Sequence, residues 1–100
     1  EMRTYDLKPR SLPEFIKRFG EAYEKRRKFS QLAAFWYTEI GPLNQVVHVW
    51  KYASQADRER KRDALMADPA FQAYLQKSRE LGAHQHQECR ILKSTSFSPL

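Results

Sequence analysis

The sequence predicts an α+β fold: a single domain over residues 1–100, ordered β-α-β-β-α-β, with an antiparallel sheet and helices on one face. Three observations predict it. Residues 35–50, rich in Phe, Trp, Tyr, Ile and Val and broken at Gly41-Pro42 and Asn44, read as a β-hairpin. An apolar stripe at helical spacing, Leu12, Phe15, Ile16, Phe19 and Tyr23, precedes it. Two helix starts, at Ser54 and at Asp68-Pro69, follow it and lead into a last strand from His84.

The first strand is predicted over residues 2–7, where Arg3, Tyr5 and Leu7 alternate with Met2, Thr4 and Asp6. Pro9 ends it by removing a ladder donor. Ser11 with Glu14 three residues on reads as a capping box, and Pro13 is tolerated in the first helical turn. That helix is expected to fray near Phe29-Ser30. The hairpin strands are expected over residues 32–40 and 45–52, turning through Gly41 to Asn44. This register pairs Tyr37 with His48 and Phe35 with Trp50. Phe35, Tyr37, Glu39, Val46, His48 and Trp50 then share one face; Ala34, Trp36, Thr38, Ile40, Val47 and Val49 share the other. Ser54 caps a second helix to about Ala67, and Asp68-Pro69 starts a third, which presents Phe71, Tyr74 and Leu75 inward and ends at Gly82. The final strand is expected over residues 84–93.

Helices on one face leave the other face of the sheet uncovered. Phe35, Tyr37 and Trp50 on that second face would make an exposed apolar patch, so a partner is expected to cover it. The net charge of +6 and pI near 9.7 raise the question of nucleic acid. The basic residues, however, fall on predicted helices, and Arg58, Arg60, Lys61 and Arg62 are interleaved with Asp57, Glu59 and Asp63 as on a solvated helix face. Nucleic-acid binding is therefore disfavoured. A single cysteine excludes an internal disulfide framework and fits a reducing, cytoplasmic setting. No apolar run approaches the length of a membrane span. Gly-rich phosphate loops, GxSxG, HExxH and paired CxxC motifs are absent from the sequence, so no cofactor is expected.

Several segments together resemble one family. They are Phe35-Trp36-Tyr37-Thr38-Glu39-Ile40-Gly41, Leu43-Asn44-Gln45-Val46-Val47-His48-Val49-Trp50, Arg3-Thr4-Tyr5 with Leu7-Lys8-Pro9, Asp68-Pro69, and Thr95-Ser96-Phe97-Ser98-Pro99-Leu100. In this order the chain resembles the NIPSNAP family over nearly its whole length. The resemblance implies a ferredoxin-like domain that forms a homodimer of the dimeric α/β-barrel type. It also implies that the tail docks on the body or on a partner chain. It implies no particular chemistry.

His48 is the leading candidate for chemistry, as a side chain that titrates near neutrality. With Tyr37 opposite, Glu39 diagonal and Trp50 two residues on, it could serve as a general base. The alternative is a hydrogen-bonded interface histidine, with Tyr37 and Trp50 as packing. Arg3 and Tyr5 reach the same cleft, where Arg3 could hold a carboxylate or pair with Glu39 or Glu88. Arg3, Tyr5, Phe35, Tyr37, Glu39, His48 and Trp50 are thus the candidate ligand cleft. His84, His86 and Cys89 suggest zinc by type, but alternation puts the two histidines on one face and Cys89 on the other. No metal site is expected, and Cys89 reads as an inert core thiol beside Ile91. Three functions are weighed: a binding protein for a small apolar or aromatic ligand or a protein partner; a cofactor-independent monooxygenase-like enzyme acting on aromatic compounds, which the resemblance to dimeric α/β-barrel proteins implies, with His48 as base and Tyr37 and Arg3 orienting the substrate; and a weak nucleic-acid binder through the basic helices.

Overall fold

A computed structural model describes all residues, Glu1–Leu100. The elements are β1 (Met2–Leu7), α1 (Leu12–Arg26), β2 (Gln31–Tyr37), β3 (Gln45–Lys51), α2 (Gln55–Ala67), α3 (Pro69–Leu81) and β4 (His84–Arg90). The four strands form one antiparallel sheet in the order β2-β3-β1-β4. This is the ferredoxin-like arrangement, with its second helical position split into α2 and α3. The split lies at Asp68, whose extended backbone (ψ 120°) interrupts the helix and whose carboxylate accepts from the Phe71 amide at 3.1 Å. Gly82 closes α3 in the left-handed region, at φ 59°. Ser54 caps α2 by accepting from the Asp57 amide.

The start of α1 differs from expectation. Ser11 is already helical and makes no cap; its hydroxyl donates to Lys8 O at 2.6 Å, while Glu14 pairs with Arg18. Arg10 at φ 70° turns the chain in ahead of the helix, so Ser11 never takes the extended backbone a cap requires. The helix also stops at Arg26, before the expected fraying point.

The hairpin keeps the predicted alternation but not the predicted register. Phe35 pairs with His48 and Tyr37 with Val46, a shift of two residues. The strand ends at Tyr37, and Gly41 at φ 124° and Asn44 at φ 59° lie in a longer connection than a tight turn. An even shift leaves the faces unchanged. An irregularity between Leu32 and Ala34 lets Leu32 meet Trp50 across the ladder.

Which face is covered is the main correction. The side carrying Phe35, His48 and Trp50 lies beneath α1 and α3, not open to a partner. Trp50, His48, Val46, Tyr5 and Leu7 pack there against Phe15 and Phe19. A hairpin's alternation cannot say on which side the helices land; α1 settles it by laying its aromatic stripe on Tyr5 and His48. The open face instead presents Met2, Thr4 and Asp6, Ala34 and Trp36, and Val47 and Val49, none of them buried. Ile16, expected in the stripe, is exposed.

β4 is an outer strand and is exposed beyond His84. Its pairing with β1 slips by one residue between His86 and His84, so the two histidines face opposite sides of the sheet. Cys89 is exposed rather than core, and Ile91 lies past the strand, also exposed. No helix is long and apolar enough to cross a membrane.

Candidate functional site

A cavity of about 340 Å³ lies between the sheet and the helices. β1 supplies Arg3 and Tyr5 to it, and α1 supplies Phe19 and Arg26. Arg62 and Met66 come from α2, Phe71, Tyr74, Leu75, Ser78 and Arg79 from α3, and His84 and Gln87 from β4. Its floor is buried at Tyr5, Phe19, Arg26 and Phe71; its rim at Met66, Arg79 and Gln87 is exposed. The volume is in the range of small-molecule pockets, and aromatic walls with a few polar groups are their usual lining.

Among the residues expected at a cleft, Arg3 and Tyr5 line this cavity. Arg3 pairs with neither Glu39 nor Glu88. Its Nε donates to Glu1 Oε1 at 2.7 Å and its Nη1 to the Tyr5 hydroxyl at 3.3 Å. Burial alone would raise the Glu1 carboxyl, but hydrogen bonds from Arg3 and Arg58 and the nearby Arg62 outweigh it and bring it down to about 2. Burial likewise opposes the charge on Arg3, yet its bond to Glu1 wins and holds the guanidinium firmly protonated.

His48 stands behind the cavity wall and is fully buried. Tyr5 and Phe19 lie between it and the space, with ring centroids 4.9 and 5.4 Å away, and Phe35 stacks on it at 5.4 Å. Its Nδ1 accepts from the Trp50 indole N–H at 2.6 Å, which fixes the proton on Nε2, an atom that has no hydrogen-bond partner. Burial, then the charges of Arg26 and Arg3, drive its pKa down to about 3, so it is neutral at physiological pH. Trp50 is buried with it. Tyr37, at the end of β2, is 56% exposed, and Glu39 lies beyond the strand on the surface. The structure therefore gathers Arg3, Tyr5, Phe35, His48 and Trp50 around the core and leaves Tyr37 and Glu39 outside it.

Arg26 is the residue that sequence reasoning missed. In the sequence it stands in a run of four basic residues with Lys25, Arg27 and Lys28. In the fold it is only 5% exposed, and its Cζ lies 3.7 Å from the centroid of the Trp50 ring. Its Nε and Nη2 are buried without a hydrogen-bond partner, and burial lowers its pKa to about 10. The signal was present: Phe15, Phe19, Ala22 and Arg26 follow one another at steps of four, three and four, and these are the buried residues of α1.

The NIPSNAP family model matches residues 1–99. The chain is 39% identical over 71 residues to Protein NipSnap homolog of Dictyostelium discoideum, which covers 71% of this chain and 32% of that protein. It is 32% identical over 99 residues to Protein NipSnap of Drosophila melanogaster, covering 99% of this chain and 36% of that protein. The chain thus spans about a third of the length of these curated relatives. Among solved structures, a protein from Agrobacterium tumefaciens matches with a TM-score of 0.92 at 36% identity, over 99% of this chain and 95% of that one. An uncharacterized NIPSNAP domain protein from Burkholderia xenovorans matches with a TM-score of 0.89 at 32% identity, over 98% and 95% of the two chains.

Proposed function

This chain belongs to the NIPSNAP family, and from that premise we propose that it is a homodimeric binding domain that takes a small aromatic or apolar ligand between its sheet and helices. The observation that carries the reading is the cavity of about 340 Å³ walled by Tyr5, Phe19, Phe71 and Tyr74. Its aromatic rings supply apolar area, and His84 and Ser78 supply polar contacts that orient a ligand. The homodimer reading draws support from the open sheet face, where Met2, Ala34, Trp36, Val47 and Val49 adjoin without a covering helix. The Phe97 side chain, 87% exposed in the tail, is a further apolar group for a partner to cover.

The geometry favours binding over base catalysis. A general base must reach the proton that it removes, and His48 is walled off by Tyr5 and Phe19. Its lowered pKa also makes it a weak base. The nucleic-acid reading gains nothing from the charge pattern: Arg3, Arg58 and Arg62 converge on Glu1, and Arg60 and Lys61 on Asp57.

A panel of small aromatic compounds, screened by thermal shift and by protein-observed NMR, tests the ligand reading. Binders are expected to raise Tm and to perturb Tyr5, Tyr74 and His84. Tyr74→Trp, which fills the space, is expected to weaken them at least tenfold. Compounds that bind the variant as well as the wild type would place the site elsewhere and sink the reading.

A further inference from the structure

We propose that the cavity recognises a small organic carboxylate, with Arg26 as the residue that receives its carboxylate group. The proposal rests on the ligand-binding reading above and names the chemistry of the ligand.

Two observations carry it. The first is Arg26 itself, a nearly buried guanidinium on the cavity floor with Nε and Nη2 lacking any partner in the chain. A buried donor left unpaired is costly, and a buried cation more so. The second is the charge around it. Four arginines, Arg3, Arg26, Arg62 and Arg79, line the cavity, and no Asp or Glu does. The neighbouring carboxylate, Glu1, is shared by Arg3, Arg58 and Arg62 and forms no ion pair with Arg26. Arg79, at the exposed rim, also lacks a carboxylate partner and bonds only to Gln76, so the cavity as a whole is short of negative charge, and Arg26 is where that shortage is buried.

The surroundings select the kind of anion. The Arg26 Cζ sits over the Trp50 ring, with Phe71 beyond, at 3.7 and 6.0 Å from the two ring centroids. Stacking leaves the edge of the guanidinium to donate, and that edge matches the two oxygens of a carboxylate. With Arg3 and Arg62 already committed to Glu1 and Arg79 exposed at the rim, the one buried unpaired guanidinium suits a monoanion better than a phosphate dianion. The aromatic walls then take the organic body of the acid. His48 acts here as a positioning residue: by accepting the Trp50 N–H it fixes the ring on which Arg26 lies.

The test compares benzoate with its neutral isostere benzamide, by isothermal titration calorimetry, on the wild type, Arg26→Met and Arg27→Met. Methionine keeps the apolar stem of Arg26, is shorter at its tip, and removes an unpaired buried charge, so that variant is expected to be about as stable as the wild type. Near-UV circular dichroism checks that it keeps the native packing. Benzoate is expected to bind the wild type and Arg27→Met alike and to bind Arg26→Met about 10- to 100-fold more weakly, the span of a charge-assisted hydrogen bond. Benzamide is expected to bind all three proteins equally and weakly. Equal binding of benzoate by the wild type and Arg26→Met overturns the carboxylate proposal and leaves the cavity reading standing. Binding of neither compound to any of the three overturns both. Inorganic phosphate binding tighter than benzoate, and lost in Arg26→Met, overturns the choice of a carboxylate.

Discussion

His48, Trp50 and Arg26 form a buried stack in which each residue sets the state of the next. The indole N–H holds His48 in one tautomer, and the indole face carries the guanidinium. The cost of this arrangement appears with acid. The folded His48 has a pKa near 3 against an ordinary value of 6.5, so below pH 6.5 the unfolded chain takes up a proton that the fold refuses. The stability is complete above pH 6.5 and is lost as pH falls toward 3. At pH 4.5 the loss approaches about 2–3 kcal/mol. His84, lowered by burial, acts in the same direction, and Glu1 adds to the loss only below its ordinary 4.5. In His48→Asn the amide oxygen can still accept from Trp50 but cannot titrate. Denaturant melts at pH 7 and 4.5 are expected to differ clearly less in this variant than in the wild type. An unchanged pH difference would remove His48 as its source.

At the scale of elements, local chemistry decided what could be read in advance. Asp68-Pro69 and Gly82 were legible because a cap, a fixed φ and a left-handed residue are properties of single positions. Loss of the cap in Asp68→Ala is expected to cost about 1 kcal/mol in chemical denaturation. The β1 and α3 boundaries were legible for the same reason. Ser11 was misread because its backbone is set by the turn at Arg10, which composition does not announce. The hairpin faces were legible from alternation, but its register depended on a connection longer than Gly41-Pro42 suggested. Arg26 was hidden by its type. Charge in a run of charges argues for solvent, and only the spacing from Phe15 and Phe19 argued otherwise. Of the cavity only Arg3 and Tyr5 were legible, since its other residues, from α1, α2, α3 and β4, meet them only after the chain has folded.

For the molecule as a whole, the sheet face opposite the helices has no covering helix, and only the tail from Leu92 to Leu100 borders it, beside Met2, Trp36 and Val49. The proposed homodimer buries Val47 and Val49 at its centre. Val47→Lys places a charge there without touching the helix-covered core and is expected to convert a dimer to a monomer in sedimentation velocity. A lysine variant with unchanged mass would exclude that face as the interface.

Both outer strands carry one residue too many for their neighbours, in β2 between Leu32 and Ala34 and in β4 between His84 and His86. Such bulges bend and twist a strand, so the free backbone donors and acceptors along its rim no longer lie in a straight row. A further chain adding itself sideways would have to break register at each bulge. Both rims thus discourage growth of the sheet in its own plane, a protection against edge-to-edge aggregation.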